Sequence, residues 1–181
     1  NLIFAQPDRL AAILERGAQI IFAGKAHPRD QPGQELIAEI IRWSKDPRFE
    51  GKILFVPGYD PYWGRLLTTG ADVWLNNPRR PREASGTSGQ KAALNGNPNL
   101  SVLDGWWPEA ADGTNGWSIP GTTDAEDVTA LYELLETQVL PQFNDPEAWA
   151  QIMRRNFMTC VPVFNTDRML KDYSKTLYNM A

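Results

Sequence analysis

Lys52–Asn77 reads KILFVPGYDPYWGRLLTTGADVWLNN. A short apolar run, KILFV, stops at Pro57-Gly58, and PYWGRLLTTG then predicts a short helix. A second short strand follows in ADVWLNN. Strand, helix and strand in this order make a βαβ unit, whose strands lie parallel. Upstream the alternation continues. Pro7 sits in the first turn of a helix that stops at Gly17 and carries Leu10, Ile13 and Leu14 as its apolar stripe. Ala18–Ala23 reads as a buried strand, and Leu36, Ile37, Ile40 and Ile41 mark a second helix ending around KDPRFEG. Downstream a helix is expected at the Gly/Ser-rich stretch near residue 87, then a strand in LSVLDG. WWPEAADGTNGWSIPG is expected to be a long loop. The remainder is helical. Thr123 and Glu126 form a capping box, Asp145-Pro146 starts a helix with Trp149, Ile152, Met153 and Asn156 on one side, and Asn165 caps a last helix bearing Leu170, Tyr173 and Leu177. The expected fold is α/β, a Rossmann-like parallel sheet with flanking helices. Residues 1–122 would form that part and 123–181 a helical region completing the same domain.

Bulk properties narrow the function classes. The 181 residues, 42% hydrophobic and 22% charged, suit one ordinary globular domain. No apolar run approaches the roughly 20 residues of a membrane span. A net charge of −4 gives no basic face for nucleic acid. Cys160 and His27 are the single residues of their types, so a soft-ligand metal cluster cannot be assembled, and Cys160 reads as a buried, inert thiol in a reducing compartment. Asn1 is not an initiator methionine, and NLIFAQPDRL lacks the features of a signal peptide, so the chain reads as a piece of a longer protein.

Ligands of open α/β sheets sit beyond the carboxyl ends of the strands. Three loops are expected there: GKAHP with Lys25 and His27, PGYDP with Tyr59 and Asp60, and NNPRRPREASGTSG. The last runs into EASGTSGQK, Glu83–Lys91. A helix beginning near Thr87 or Ser88 offers unpaired first-turn amides to an anion, and Lys91 lies one turn on, where its amine reaches back. An anion site beside an amine suits a phosphorylated ligand, and a lysine also forms a Schiff base with an aldehyde; pyridoxal phosphate has both groups. A solvated lysine beside an ordinary polar loop is the plainer reading. The spacing is not that of a Walker-type nucleotide loop.

DVWLNNPRRPREASGTSGQKAALNGNPNLSVLDGWW resembles the cofactor region of the α-glucan (glycogen, starch or maltodextrin) phosphorylases, in particular their shorter bacterial branch. FAGKAHP and FVPGYD match that family's upstream loops in order and spacing. The resemblance implies the C-terminal domain of a two-domain, GT-B-type retaining glycosyltransferase. Such an enzyme is cytoplasmic and cleaves α-1,4-glucan with inorganic phosphate to give α-D-glucose 1-phosphate. It further implies pyridoxal 5'-phosphate held as a Schiff base on Lys91, with the Thr87 and Ser88 amides facing its phosphate and Tyr59 close by. Glu83, Ser85 and Gly86 would line the glucosyl pocket. The partners implied are the glucan, phosphate, glucose 1-phosphate and the missing N-terminal domain, with homo-oligomers allowed. In that family the cofactor phosphate, not its aldehyde, is thought to do the chemistry, with the lysine as a tether. Asp60 stands where animal-type members carry arginine, and Gln90 replaces a methionine. The family's basic phosphate-binding segment would precede Asn1, so the isolated chain is expected to be inactive.

Two rivals remain open. Nucleotide-sugar glycosyltransferases of the glycogen or starch synthase type share the architecture and carry two glutamates eight apart. Here the residue eight after Glu83 is Lys91, which favours an aldehyde over a ribose. A non-catalytic carbohydrate-binding module would stack sugars on Trp106, Trp107 and Trp117, residues that read more plainly as core or interface. Lys25 and His27 could be structural, Asp104 could fix the turn before Trp106, and Arg79, Arg80 and Arg82 read as a solvated basic rim.

Overall fold

The alternation read from Lys52–Asn77 recurs along most of the chain in the computed structural model, which describes residues 2–79 and 85–178. Helix α1 (Pro7–Glu15) leads into strand β1 (Ile20–Ala23), α2 (Gln31–Ser44) into β2 (Ile53–Val56), and α3 (Pro61–Gly70) into β3 (Trp74–Asn76). Next come α4 (Thr87–Leu94), β4 (Asn99–Val102), a short α5 (Trp107–Ala110) and β5 (Gly116–Ile119). The rest is helical: α6 (Asp124–Leu134), a wide π segment Leu135–Val139, α7 (Leu140–Phe143), α8 (Pro146–Cys160) and α9 (Thr166–Thr176).

Local chemistry sets the helix starts. The Asp30 carboxylate accepts from the Gly33 amide, and Asp60 accepts from that of Trp63. Thr123 and Glu126 close the expected capping box, Asp145 accepts from Glu147 and Ala148, and Asn165 accepts from Arg168. Each such cap contributes about 1 kcal/mol.

All strand pairs are parallel, but they fall into two small sheets rather than the single one expected. β1 pairs with β2, Ile20 opposite Ile53. The order β3-β4-β5 forms the other sheet, with Trp74 opposite Asn99 and Asn99 opposite Gly116. β3 has only three residues, and its Trp74 amide bonds outward to the Pro98 carbonyl on the β4 side. No ladder joins β2 to β3 among the described residues.

The expected loop over residues 106–121 is corrected: it contains α5 and β5. Trp106, Trp107 and Trp117 are buried there rather than presented to solvent. Trp107 donates its indole N–H to Ser118 Oγ at 3.1 Å, and Trp117 donates to Gln142 Oε1 at 3.1 Å. Trp106 meets Phe164 edge-on. The polar ends of Trp107 and Trp117 are thus satisfied within the fold, as buried tryptophans require.

One apolar cluster joins the sheets to the helical region. Leu10, Ile13 and Leu14 of α1 and Ile53 of β2 pack with Leu100, Val102 and Ile119 of the second sheet and with Val128, Leu131 and Tyr132 of α6. The buried Tyr132 hydroxyl reaches the Ile3 and Gln6 carbonyls, and Arg9 makes a two-pronged contact with Glu136, Nε to Oε1 at 2.9 Å and Nη2 to Oε2 at 2.7 Å. The stripe read on the last helix forms on α9, yet Leu170, Tyr173 and Leu177 all stay exposed. No helix among the described residues is long and apolar enough to cross a membrane.

Candidate functional site

β3 and β4 are neighbours and point the same way, so their carboxyl ends open onto the same space. A cavity of about 270 Å³ lies there, lined by Leu75, Asn76, Asn77, Pro78, Gly86, Ser101, Asp104 and Trp106. It sits where α/β sheets characteristically receive ligands. The wall toward α4 depends on Gly89. A Cβ at Gly89 would stand 2.6 Å from Asn99 Oδ1 and 2.7 Å from Asn76 Nδ2, so only glycine lets this helix approach the sheet so closely. The contact is locked by hydrogen bonds: Asn76 Nδ2 donates to Asn99 Oδ1 at 3.2 Å, and Asn99 Nδ2 donates to the Gly89 carbonyl at 3.1 Å.

Not every polar group around the cavity is satisfied. Ser101 Oγ donates to the Val102 carbonyl. Asn77 Nδ2 and Asp104 Oδ2, by contrast, are buried and have no hydrogen-bond partner among the described residues. An unmade bond of this kind costs about 1–3 kcal/mol per group. The expectation that Asp104 fixes the turn is carried by its backbone, whose carbonyl accepts from Trp107 at 3.3 Å and whose amide donates to Val102 at 2.8 Å. The Oδ2 atom takes no part.

Gly86 opens α4 with φ +73°, a left-handed conformation that favours glycine, and no side chain caps the helix among the described residues. A helix start of this kind presents its first-turn amides to an acceptor, which the helix dipole makes an anion by preference. Lys91 belongs to the next turn. Gly89, Ala92 and Ala93 form the buried face of α4, so Thr87 and Lys91, four residues apart, share an exposed one. The backbone thus places a cation one turn from an open helix start, the pairing expected from the sequence.

The other expected residues are more scattered. Ser85 is exposed at the approach to α4. Tyr59 lies over the first turn of α3, where a Cβ on Gly64 would come 2.7 Å from its hydroxyl. It does not line the cavity, although α3 packs against α4. Glu83, Arg80 and Arg82 lie outside the described residues. Arg79 pairs with Asp124 at 3.0 Å on the exposed surface, in keeping with a solvated rim. Lys25 and His27 are exposed, and His27 Nδ1 accepts from the Arg29 amide at 3.1 Å, a structural contact. Cys160 is fully buried, and burial pushes its thiol up, which suits an inert side chain. Asn77 was missed as a site residue: its neighbour in the Asn-Asn pair is spent on Asn99, and only the pairing pattern separates the two.

A larger, more open groove of about 640 Å³ runs along α6 past Thr122, Glu126 and Thr129. Of its two carboxylates, Glu126 and Glu133, the first is already committed. Glu126 Oε2 accepts from the Thr122 amide and hydroxyl, each at 2.7 Å, and these bonds hold its carboxyl below the usual range.

Comparison with known proteins bears on the chain as a whole. Over an alignment that covers 99% of this chain, the sequence is 43% identical to a glycogen phosphorylase of Aquifex aeolicus. A maltodextrin phosphorylase of Thermococcus litoralis is 45% identical over 100% of the chain. A glycogen phosphorylase of Mycobacterium tuberculosis is 43% identical over 100% of it. The chain is homologous to a segment of the α-glucan phosphorylases. It spans about a quarter of their length, 28%, 23% and 23% of the three proteins respectively. No family model matches the sequence. The open start of α4 and the cavity that Gly86 helps to line lie at one end of the β3-β4-β5 sheet.

Proposed function

We propose that this chain is the C-terminal, cofactor-binding domain of a cytoplasmic α-1,4-glucan phosphorylase of GT-B architecture. The full-length enzyme would cleave glycogen or maltodextrin with inorganic phosphate and release α-D-glucose 1-phosphate. The observation that carries this reading is the 43–45% identity to glycogen and maltodextrin phosphorylases along the whole chain. We read residues 1–122 and 123–181 as parts of one domain, supported by the shared core and by the Tyr132 and Arg9–Glu136 links between them.

The residues present fit pyridoxal 5'-phosphate as the cofactor. A helix start without a side-chain cap suits its phosphate, and an exposed lysine one turn on suits its aldehyde. When bound, this group supplies a phosphate monoester with a second pKa near ~6, suited to acid–base work at neutral pH. In our reading Lys91 tethers it. The amides of Thr87 and Ser88 hold and orient the anion, and Gly86 keeps the approach clear of side chains. Glu83, Ser85 and Gly86 line the glucosyl pocket, with Glu83 accepting from sugar hydroxyls, and Tyr59 closes one side. The remaining three-quarters of the protein supplies the opposite wall of the cleft and the basic groups for substrate phosphate.

The test is an assay of the full-length protein with maltodextrin and inorganic phosphate. Phosphate-dependent formation of glucose 1-phosphate is expected. Glucosyl transfer from a nucleotide sugar, with no phosphorolysis, would overturn the reading in favour of a synthase-type enzyme.

A further inference from the structure

Four polar side chains line the cavity at the ends of β3 and β4: Asn76, Asn77, Ser101 and Asp104. Asn76 is held by Asn99 and Ser101 by its own strand. The exceptions are complementary. Among the described residues, Asn77 Nδ2 is a buried donor without an acceptor, and Asp104 Oδ2 is a buried acceptor without a donor. Buried polar atoms in folded proteins are almost always paired, so two opposite exceptions in one cavity call for a shared partner. A hydroxyl, like water, accepts one hydrogen bond while donating another. Neither an anion nor an ammonium does both. An anion could not satisfy Asp104, and a cation could not satisfy Asn77.

Building on the phosphorylase reading, we propose that Asn77 and Asp104 form a hydroxyl-binding pair that orients the ring of a bound ligand through one hydroxyl. That hydroxyl donates to Asp104 Oδ2 and accepts from Asn77 Nδ2. Two ligands of this site carry ring hydroxyls: the pyridine ring of the cofactor and the glucosyl ring of the substrate. The pair discriminates against deoxy analogues, because removal of the hydroxyl leaves both protein atoms unpaired again. Asn77 and Asp104 are positioning residues in this scheme and exchange no proton with the reacting atoms.

The experiment uses the full-length protein and its Asp104→Asn and Asn77→Leu variants, and reads binding rather than turnover. One arm titrates apoprotein with pyridoxal 5'-phosphate and with its 3-deoxy analogue, followed by absorbance. The other titrates holoprotein with glucose 1-phosphate and its 2-, 3-, 4- and 6-deoxy forms, followed by calorimetry. The wild type is expected to bind one deoxy analogue about tenfold more weakly than its parent, a difference that both variants abolish. A loss in the first arm that the variants abolish assigns the cofactor hydroxyl, and such a loss in the second the sugar hydroxyl; either supports the pair. If the wild type binds every analogue as tightly as its parent, the cavity holds only water and the proposal falls while the phosphorylase reading stands. If the wild type binds neither pyridoxal phosphate nor glucose 1-phosphate, both fall. A wild-type difference that persists in whichever of the two variants folds overturns the pair and leaves the phosphorylase reading standing.

Discussion

Gly89 and Asn99 meet so closely that a single methyl group cannot fit between them: a Cβ on Gly89 would lie 2.6 Å from Asn99 Oδ1. The same Asn99 side chain donates to the Gly89 carbonyl at 3.1 Å, which fixes helix α4 against strand β4. Gly89→Ala must therefore displace buried, hydrogen-bonded asparagines. The expected cost is about 1–3 kcal/mol of stability, seen as a lower denaturation midpoint, with weaker pyridoxal phosphate uptake because α4 carries Lys91.

Gly86 is a second fixed point. Its φ of +73° costs an L-residue about 1–2 kcal/mol. Gly86→Ala is expected to destabilise by that order in denaturant titration and to weaken cofactor uptake. Gly86→Asn, which tolerates the left-handed region better, should recover part of both. Equal behaviour of the Ala and Asn variants would contradict this assignment of the loss to backbone strain.

The Tyr132 hydroxyl ties α6 to the start of the chain through the Ile3 and Gln6 carbonyls, and burial pushes its pKa up to about 12 from an ordinary value of 10.0. A phenol whose folded pKa is raised contributes stability that is whole below the unfolded value. That contribution is lost as pH rises from 10 toward about 12. Thermal unfolding should show a decline in this window that Tyr132→Phe removes. The same variant should cost about 1 kcal/mol at neutral pH through the lost hydrogen bonds.

Arg9 and Glu136 make a second tie across the same junction. The side-chain hydrogen bonds from Arg9 hold the Glu136 carboxyl below its ordinary value of 4.5. The stability it confers is present above that value and is lost as pH falls below it. Both side chains are about one-third exposed, so solvent screening limits the gain; Glu136→Gln is expected to cost about 0.5–1 kcal/mol at neutral pH, measured by denaturant unfolding.

Much of this architecture is legible in the chain because its signals are local. Thr123, Asp145 and Asn165 each announce a helix start by their own side-chain chemistry, and each caps as expected. β5 is not legible in the same way. Its four residues, Gly116–Ile119, open with a glycine at φ +156°, and they become a strand only because β4 offers its edge. The π segment before Pro141 is equally hidden. The helical pattern runs on through it, while proline removes one backbone donor and crowds the preceding turn, which the wider coil relieves. At the site, the glycine-rich approach to Lys91 can be read from composition. The orphaned atoms of Asn77 and Asp104 cannot, since their isolation depends on what Asn99 and the β4 backbone leave unpaired.

The central claim is that Lys91 holds the cofactor of a glucan phosphorylase. It is tested most directly by treating the full-length protein with pyridoxal phosphate, reducing with borohydride and locating the modified lysine by peptide mass analysis. The account predicts label on Lys91 and none after Lys91→Ala, with the fold retained by circular dichroism. Label on another lysine, or no label on the wild type, would contradict it.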